Sequence, residues 1–358
     1  MRSLYSMMVK KSAWLLFSVF FPFCVHAFEL NGAGAAELRY IEVPAASSYV
    51  LAPVKARPSR LIVEPDDGRA PFLDAIKSAS TSITLTTYQL SDPQIVSALK
   101  EARQRGVKVR FQYNYYSFAD YTTDPNGWAV GQLTGAGAEA RPGQKYFLVT
   151  HEKAMVVDNS TAFVMGLNFA KSYFSGTRDF GYVTSDPVLV GEITRFFEAD
   201  WTGVQAVPAA GALAWSPVNA RAKMTALVNN ARGTLDIYNE LALDKKMLAA
   251  MCAAAGRGVK VRFINAAAHP KEDGKEDPNK PGREQLAAAG VRVKVITSPF
   301  IHAKAILADN GTAAAKAYIG SGNFSAVSFD RNRELGVITS EKQVLDPLQK
   351  VFDQDWAR

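Results

Sequence analysis

The stretch IHAKAILAD, residues 301 to 309, sets His302 and Lys304 two positions apart in an apolar run, and THEKAMVVD, residues 150 to 158, does the same with His151 and Lys153. Side chains at i and i+2 of an extended segment leave on one face, so each pair aims a proton-exchanging imidazole and an ammonium at one spot. A single such pair needs no more than a satisfied core histidine beside a snorkelling lysine. The surroundings of these two pairs, however, are the same. Each histidine has Lys at +2 and Asp at +7 (Asp158, Asp309), then a Gly-containing strand end bearing Asn (Asn168, Asn323), then an acid in an Arg–acid–x–Gly block (Asp179, Glu334). His269 stands apart in AAAHPKEDGKEDPNKPG and reads as a solvated side chain of a charged loop.

A duplication positions both pairs. RGVKVRF occurs at 105–111 and again at 257–263, an offset of 152. Upstream, SITLTTYQLSDPQIVSALKEARQ aligns with TLDIYNELALDKKMLAAMCAAAG, each an alternating strand followed by a helical pattern. Downstream the histidine stretches align at 151, and RDFGYVTS with RELGVITS and FFEADW with VFDQDW at 155. One domain has been written twice and fused. Each copy reads strand, helix, strand, helix, several short strands and a closing helix, an α/β architecture with layers. The expected boundaries are 60–202 for the first half, 203–213 (GVQAVPAAGAL) for a linker and 214–358 for the second half.

HEKAMVVD with MGLN, and HAKAILAD with GSGN, resemble the two His–x–Lys–x4–Asp motifs of the phospholipase D superfamily, and the resemblance runs over roughly 60–358. It implies two homologous α/β/α layered halves related by a pseudo-two-fold axis, with both histidines in one cleft and neither half active alone. Motif positions His151, Lys153, Asp158, His302, Lys304 and Asp309 carry over as catalytic, although Asp158 and Asp309 follow the strand by several residues and are expected to hold the turn beyond it. Asp179 and Glu334 would each orient a histidine, and Asn168, Ser321 and Asn323 would bind substrate phosphate. The first copy has Gly166 where the second has Ser321, so the phosphate contacts are expected to be asymmetric.

The chemistry suits these types. A phosphodiester is an anion that repels nucleophiles and has a poor leaving group, so two displacements are easier than one. A neutral imidazole attacks to give a phosphohistidine, while a protonated imidazole on the opposite side delivers a proton to the leaving oxygen and then activates water. By resemblance His151 is the nucleophile and His302 the acid. Lys153 and Lys304 supply the positive charge, so neither a metal nor a cofactor is implied.

Residues 1–27 place Arg2, Lys10 and Lys11 before an apolar run that ends Val25-His26-Ala27, the pattern of a secretory signal cut before Phe28 and hence of a periplasmic or secreted protein. Residues 28–59 read as an Ala/Pro/Ser-rich lead-in. Without the three basic residues of the signal the chain holds 38 Lys and Arg against 34 Asp and Glu, a net +4 where the whole is +7. That is weakly basic for a polyanion binder. Cys252 would then be alone, which excludes an internal disulfide and a cysteine–histidine metal site. The expected substrate is therefore a glycerophospholipid at a membrane surface, hydrolysed or transferred to an alcohol. A metal-independent secreted endonuclease and an inactive binding module are the alternatives, and no obligate protein partner is implied. The loop QYNYYSFADYTTDPNGW, with Tyr113, Tyr115, Tyr116, Phe118, Tyr121 and Trp128, could meet a lipid interface or stack on bases.

Overall fold

The structure, a computed structural model, describes residues 59–115, 124–267 and 276–358. Half 1 runs β1 (Arg60–Glu64), α1 (Ala70–Ser78), β2 (Ser82–Thr87), α2 (Pro93–Gln104), β3 (Lys108–Tyr113), α3 (Gly127–Gly135), β4 (Glu139–Pro142), β5 (Ala154–Val157), β6 (Thr161–Met165), α4 (Tyr173–Gly176), β7 (Thr177–Thr184) and α5 (Pro187–Thr202). Half 2 runs β8 (Leu213–Ser216), α6 (Ala220–Asn230), β9 (Thr234–Asn239), α7 (Lys245–Gly256), β10 (Lys260–Ala266), α8 (Lys280–Ala288), β11 (Arg292–Ile296), β12 (Phe300–Ile301), β13 (Ala305–Ala308), β14 (Lys316–Gly320), α9 (Ala326–Asp330), β15 (Glu334–Thr339) and α10 (Lys342–Ala357). The sheets pair in the same sequence, β1-β7-β6-β5-β2-β3-β4 and β8-β15-β14-β13-β9-β10-β11. Only β12 departs, leaving its own half to pair with β7 of the other.

The repeated RGVKVRF marks the same joint in each half. Gly106 (φ +93°) and Gly258 (φ +88°) take the left-handed conformation that stops α2 and α7, which a side chain would strain. The arginine before each glycine reaches back to the end of the preceding helix. Arg105 donates to the carbonyls of Ile76 and Lys77, and Arg257 to those of Val228 and Asn229, satisfying groups a helix end leaves unpaired. At the other end Asp92 caps α2 through the N–H groups of Gln94 and Ile95, and Asp244 caps α7 through that of Met247.

Three apolar clusters fill the layers. One joins α1, α2 and α3 to the outer face of the first sheet, and a second joins α6, α7 and α8 to that of the other. The third lies between the sheets and draws on both halves, with α5 and α10 supplying Ile193, Phe196, Leu348 and Phe352 beside Phe180, Trp215, Tyr238 and Leu335. Phe196 stacks on Trp215 at 3.9 Å across the halves. Two buried ion pairs cross the same layer, Arg178 with Asp355 at 2.7 Å and Arg333 with Asp200 at 2.6 Å. Losing one partner of such a pair strands a charge in the core, at a cost of roughly 3–5 kcal/mol.

The structure differs from the sequence reading in three places. The third helix of each half, α3 and α8, begins inside the stretches taken as loops, so Trp128 is a helix residue and Tyr113 ends a strand. Leu213 opens β8 and does not belong to the linker. His302 and Lys304 do not lie within a strand, because the chain steps there from β12, in one sheet, to β13, in the other. Tyr116, Phe118, Tyr121 and His269 lie outside the described residues, as does everything before Ser59.

Asp158 and Asp309 end β5 and β13 at φ +52° and +53°, a conformation Asp tolerates better than most residues. Their carboxylates clasp the approach to the neighbouring strand. Asp158 accepts from the backbone N–H groups of Ser80, Thr81 and Ser82, and Asp309 from those of Arg232, Gly233 and Thr234. Burial opposes the charge on Asp158, but those backbone donors pull its carboxyl down to about 2. Asp309→Ala should lower stability by about 2–3 kcal/mol, since several bonds to a buried, charged acceptor are lost. Denaturant titration checks that, and the kcat of the folded fraction should stay within about twofold of wild type.

Candidate active site

Each half lends its histidine to the other. Thr150 bridges Arg333, the N–H of His151 donates to the Arg333 carbonyl at 2.9 Å, and that of His302 donates to the Arg178 carbonyl at 3.2 Å. The backbone before each motif is thus fastened to the opposite half's last strand. The next residue of that strand is the acid. His151 Nδ1 donates to Glu334 at 2.8 Å and His302 Nδ1 to Asp179 at 2.6 Å, so both carboxylates act across the interface. A carboxylate on Nδ1 places the proton there and leaves the Nε2 lone pair to the cleft. Asp179 and Glu334 do not pair with the adjoining Arg178 and Arg333, which are committed to Asp355 and Asp200.

Lys153 and Lys304 are fully buried, each ammonium donating to the carbonyl of the histidine two residues before it. Burial lowers the Lys153 ammonium to about 7, against the pull of Glu334 and with Lys304 repelling it. Burial likewise brings His151 down to about 4, and Glu334 only partly restores it. His151 is therefore neutral near pH 7. The ring edges are covered by tyrosines, Tyr88 at 5.3 Å from His151 and Tyr173 at 4.8 Å from His302. Asn168 and Asn323 are buried with their Oδ1 atoms unpaired among the described residues. Two imidazoles, two ammonium groups and two carboxamides converging on one cleft suit an anion flanked by a nucleophile and a proton donor.

The family described as "Cardiolipin synthase, PLD-like domain" matches residues 72–201 and 224–356, one copy per half and well over half of the chain. The chain belongs to the phospholipase D superfamily. Among relatives of that superfamily, cardiolipin synthase 2 of Bacillus anthracis is 23% identical over 343 residues, covering 83% of this chain and 64% of that protein. The cardiolipin synthase of Geobacillus kaustophilus is 24% identical over 305 residues, covering 74% and 58%. The chain thus spans less than two thirds of the length of these relatives. Two solved structures share the fold. The phosphatidylserine synthase of Haemophilus influenzae Rd KW20 has a TM-score of 0.64 at 12% identity, covering 82% of this chain and 86% of that one. The polyphosphate kinase of Porphyromonas gingivalis has a TM-score of 0.66 at 16% identity, covering 84% and 47%.

Within this phospholipase D frame some motif residues lie where the sequence reading set them and others do not. His151, Lys153, His302, Lys304, Asp179, Glu334, Asn168 and Asn323 surround the cleft. Asp158 and Asp309, grouped there with the catalytic residues, sit at the far ends of β5 and β13, where backbone N–H groups occupy their carboxylates. Nor is Ser321 poised for a phosphate. Its hydroxyl is fully buried, exchanges hydrogen bonds with the backbone of Leu335 and supports the Glu334 carboxylate. Gly166, its counterpart, leaves the room that Asp179 needs, since a Cβ there would stand 2.3 Å from Asp179 Oδ1.

The residue missed by the sequence reading is Glu240. Its Oε2 lies 2.9 Å from Lys304 Nζ, 3.7 Å from His302 Nε2 and 3.2 Å from Asn323 Nδ2. Burial opposes its charge, yet Lys304 and His302 hold the carboxyl far below the usual range. The signal was present in the repeat, for Glu240 follows β9 as Tyr88 follows β2, a charge in one copy against a phenol in the other. Ser328 was also missed, and its hydroxyl donates to Glu334 Oε1 at 2.7 Å.

The neutral state of His151 has a direct readout. In 15N-resolved NMR its imidazole should titrate near pH 4, about two units below a free histidine. Glu334→Gln removes the charge that favours the imidazolium, so the midpoint should fall further. A midpoint above 6 in the wild-type protein would contradict burial as the dominant influence.

Proposed function

We propose that the chain transfers the phosphatidyl group of a glycerophospholipid, to water or to an alcohol, through a phosphohistidine on His151. The observation that carries this is the unequal setting of two imidazoles in one cleft. His151 faces a single carboxylate and is held neutral by burial, ready to attack. His302 has Asp179 on one nitrogen and Glu240 3.7 Å from the other, so its ring is set between two carboxylates where that of His151 meets one. The proton goes from His302 Nε2 to the leaving alkoxide, and His302 then takes one from the incoming water or hydroxyl as that oxygen displaces His151 from phosphorus. Lys153, Lys304, Asn168 and Asn323 hold the non-bridging oxygens, so the positive charge comes from the chain and the reaction runs without a metal.

Two features support a lipid. The relatives that match over most of the chain are named cardiolipin synthases. Beside His151 a cavity of about 560 Å3, lined by Tyr115, Pro142, Phe147, Leu148 and Val149, opens at Thr150, and Tyr115, Trp128 and Tyr146 stand exposed. Aromatic rings with one polar end suit a headgroup boundary. Among the described residues no helix is long and apolar enough to cross a membrane.

With phosphatidylglycerol in mixed micelles and EDTA present, turnover should persist. His151→Ala and His302→Ala should each lose at least ~10³-fold. Acid-labile label should accumulate on His151 in His302→Ala. Loss of wild-type turnover in EDTA with recovery on adding a divalent ion overturns the metal-free route. Cleavage of DNA that falls steeply with salt while micelles stay intact overturns the lipid.

We further infer export with removal of residues 1–27, supported by the basic, apolar and small-residue order of that stretch. Intact mass of the protein recovered from a secreting host should begin at Phe28, and a membrane-bound species retaining Met1 would contradict it.

A further inference from the structure

Glu240 holds the groups a phosphate oxygen would use. One carboxylate oxygen bonds Lys304 and Asn323 and stands 3.7 Å from His302 Nε2. A phosphodiester and this carboxylate cannot share Lys304 and Asn323 without repelling, so the side chain must swing aside when substrate enters. It can swing only within the His302 side of the cleft, since it follows β9 of the second half directly. The corresponding place on the His151 side holds the uncharged Tyr88. The proposed reaction decides which part of the substrate meets it. A displacement at phosphorus sends the leaving group out opposite the attacking nitrogen, so with His151 attacking, the head-group oxygen departs beside His302.

We propose that Glu240 reads the head group, accepting a hydrogen bond from a hydroxyl or ammonium on the departing alcohol and disfavouring head groups that end in a phosphomonoester. This rests on the phosphatidyl transfer proposed above with His151 as nucleophile. A carboxylate beside the reacting phosphate adds attraction for a glycerol or ethanolamine group, and the same charge repels a terminal phosphomonoester. Exclusion of the wrong ligand by like charge is a common source of selectivity. Glu240 thereby acts as a positioning and selecting residue.

Binding tests this without relying on turnover. Isothermal titration would measure glycerophosphoglycerol and its terminal phosphate ester against wild-type protein, Glu240→Gln and Glu240→Asp, each with its melting curve recorded. The wild-type protein should prefer the plain diester, Glu240→Gln should lose at least about tenfold of that preference, and Glu240→Asp should keep most of it. The kcat/KM ratio for phosphatidylglycerol over phosphatidylglycerophosphate in neutral-detergent micelles should move in parallel. A preference unchanged in Glu240→Gln, or both affinities shifting equally, overturns the inference, as does a wild-type protein that binds both alike. Head-group preference in binding with no turnover of either lipid would fault the proposed reaction and leave the selection by Glu240 standing.

Discussion

The hydrogen bond from each catalytic-motif histidine to a carboxylate of the opposite half is the constraint around which the molecule is arranged. His151 depends on Glu334 and His302 on Asp179, so neither imidazole has its tautomer set within its own half. A bond of this kind directs the ring only if both ends are held to a few tenths of an ångström. That explains why the residues just before the acids, Arg178 and Arg333, are buried and spent on Asp355 and Asp200 at the ends of the closing helices. Backbone pairing of β12 with β7, and of Thr150 with Arg333, fixes the same two strands from the histidine side. The interface and the site are therefore one structure. Apolar burial between the sheets supplies the adhesion, and the ion pairs supply the register.

The lysines show what this burial costs and what it yields. An ammonium in a dry cleft is penalised, which is why Lys153 falls to about 7 even with Glu334 nearby. A phosphodiester bound as proposed above would offset that penalty on Lys153 by its negative charge. On that proposal, part of the affinity for the phosphodiester would be relief of a penalty that the fold itself creates. The same dry surroundings keep His151 neutral, so one physical cause lowers the imidazole and the ammonium together.

Much of this was legible in the sequence because the duplication turns weak signals into paired ones. RGVKVRF, the two histidine stretches, MGLN with GSGN and the Arg–acid–x–Gly blocks pointed to the halves, their α/β character and eight side chains that the structure places near one another. What escaped was set by three-dimensional packing. The spacing of His302 and Lys304 suits one strand, but the chain changes sheets between β12 and β13, and only pairing across the halves reveals that. The +7 aspartates were expected to hold the turn beyond the strand, but their partners were hidden, since their carboxylates clasp Ser80–Ser82 and Arg232–Thr234, some 77 residues away in sequence. The helices α3 and α8 begin in polar, turn-rich stretches, and their few buried residues, Ala129 and Leu133 or Gly282 and Leu286, carry little periodic signal.

Where the copies disagree is as informative as where they agree. Identical positions, the histidines, lysines and asparagines, are those a tetrahedral phosphate meets from both sides. The unequal ones flank it. Gly166 leaves space for the shorter Asp179, whereas Ser321 and Ser328 brace the longer Glu334. Tyr88 offers a ring edge on the His151 side, and Glu240 a charge on the other. A reaction at phosphorus has two ends, one that stays on the enzyme and one that departs, and they differ chemically in any mixed diester. A pseudo-symmetric cradle can hold the phosphate indifferently to which end is which. The flanking residues break that symmetry, and the roles proposed for the two histidines rest on that break.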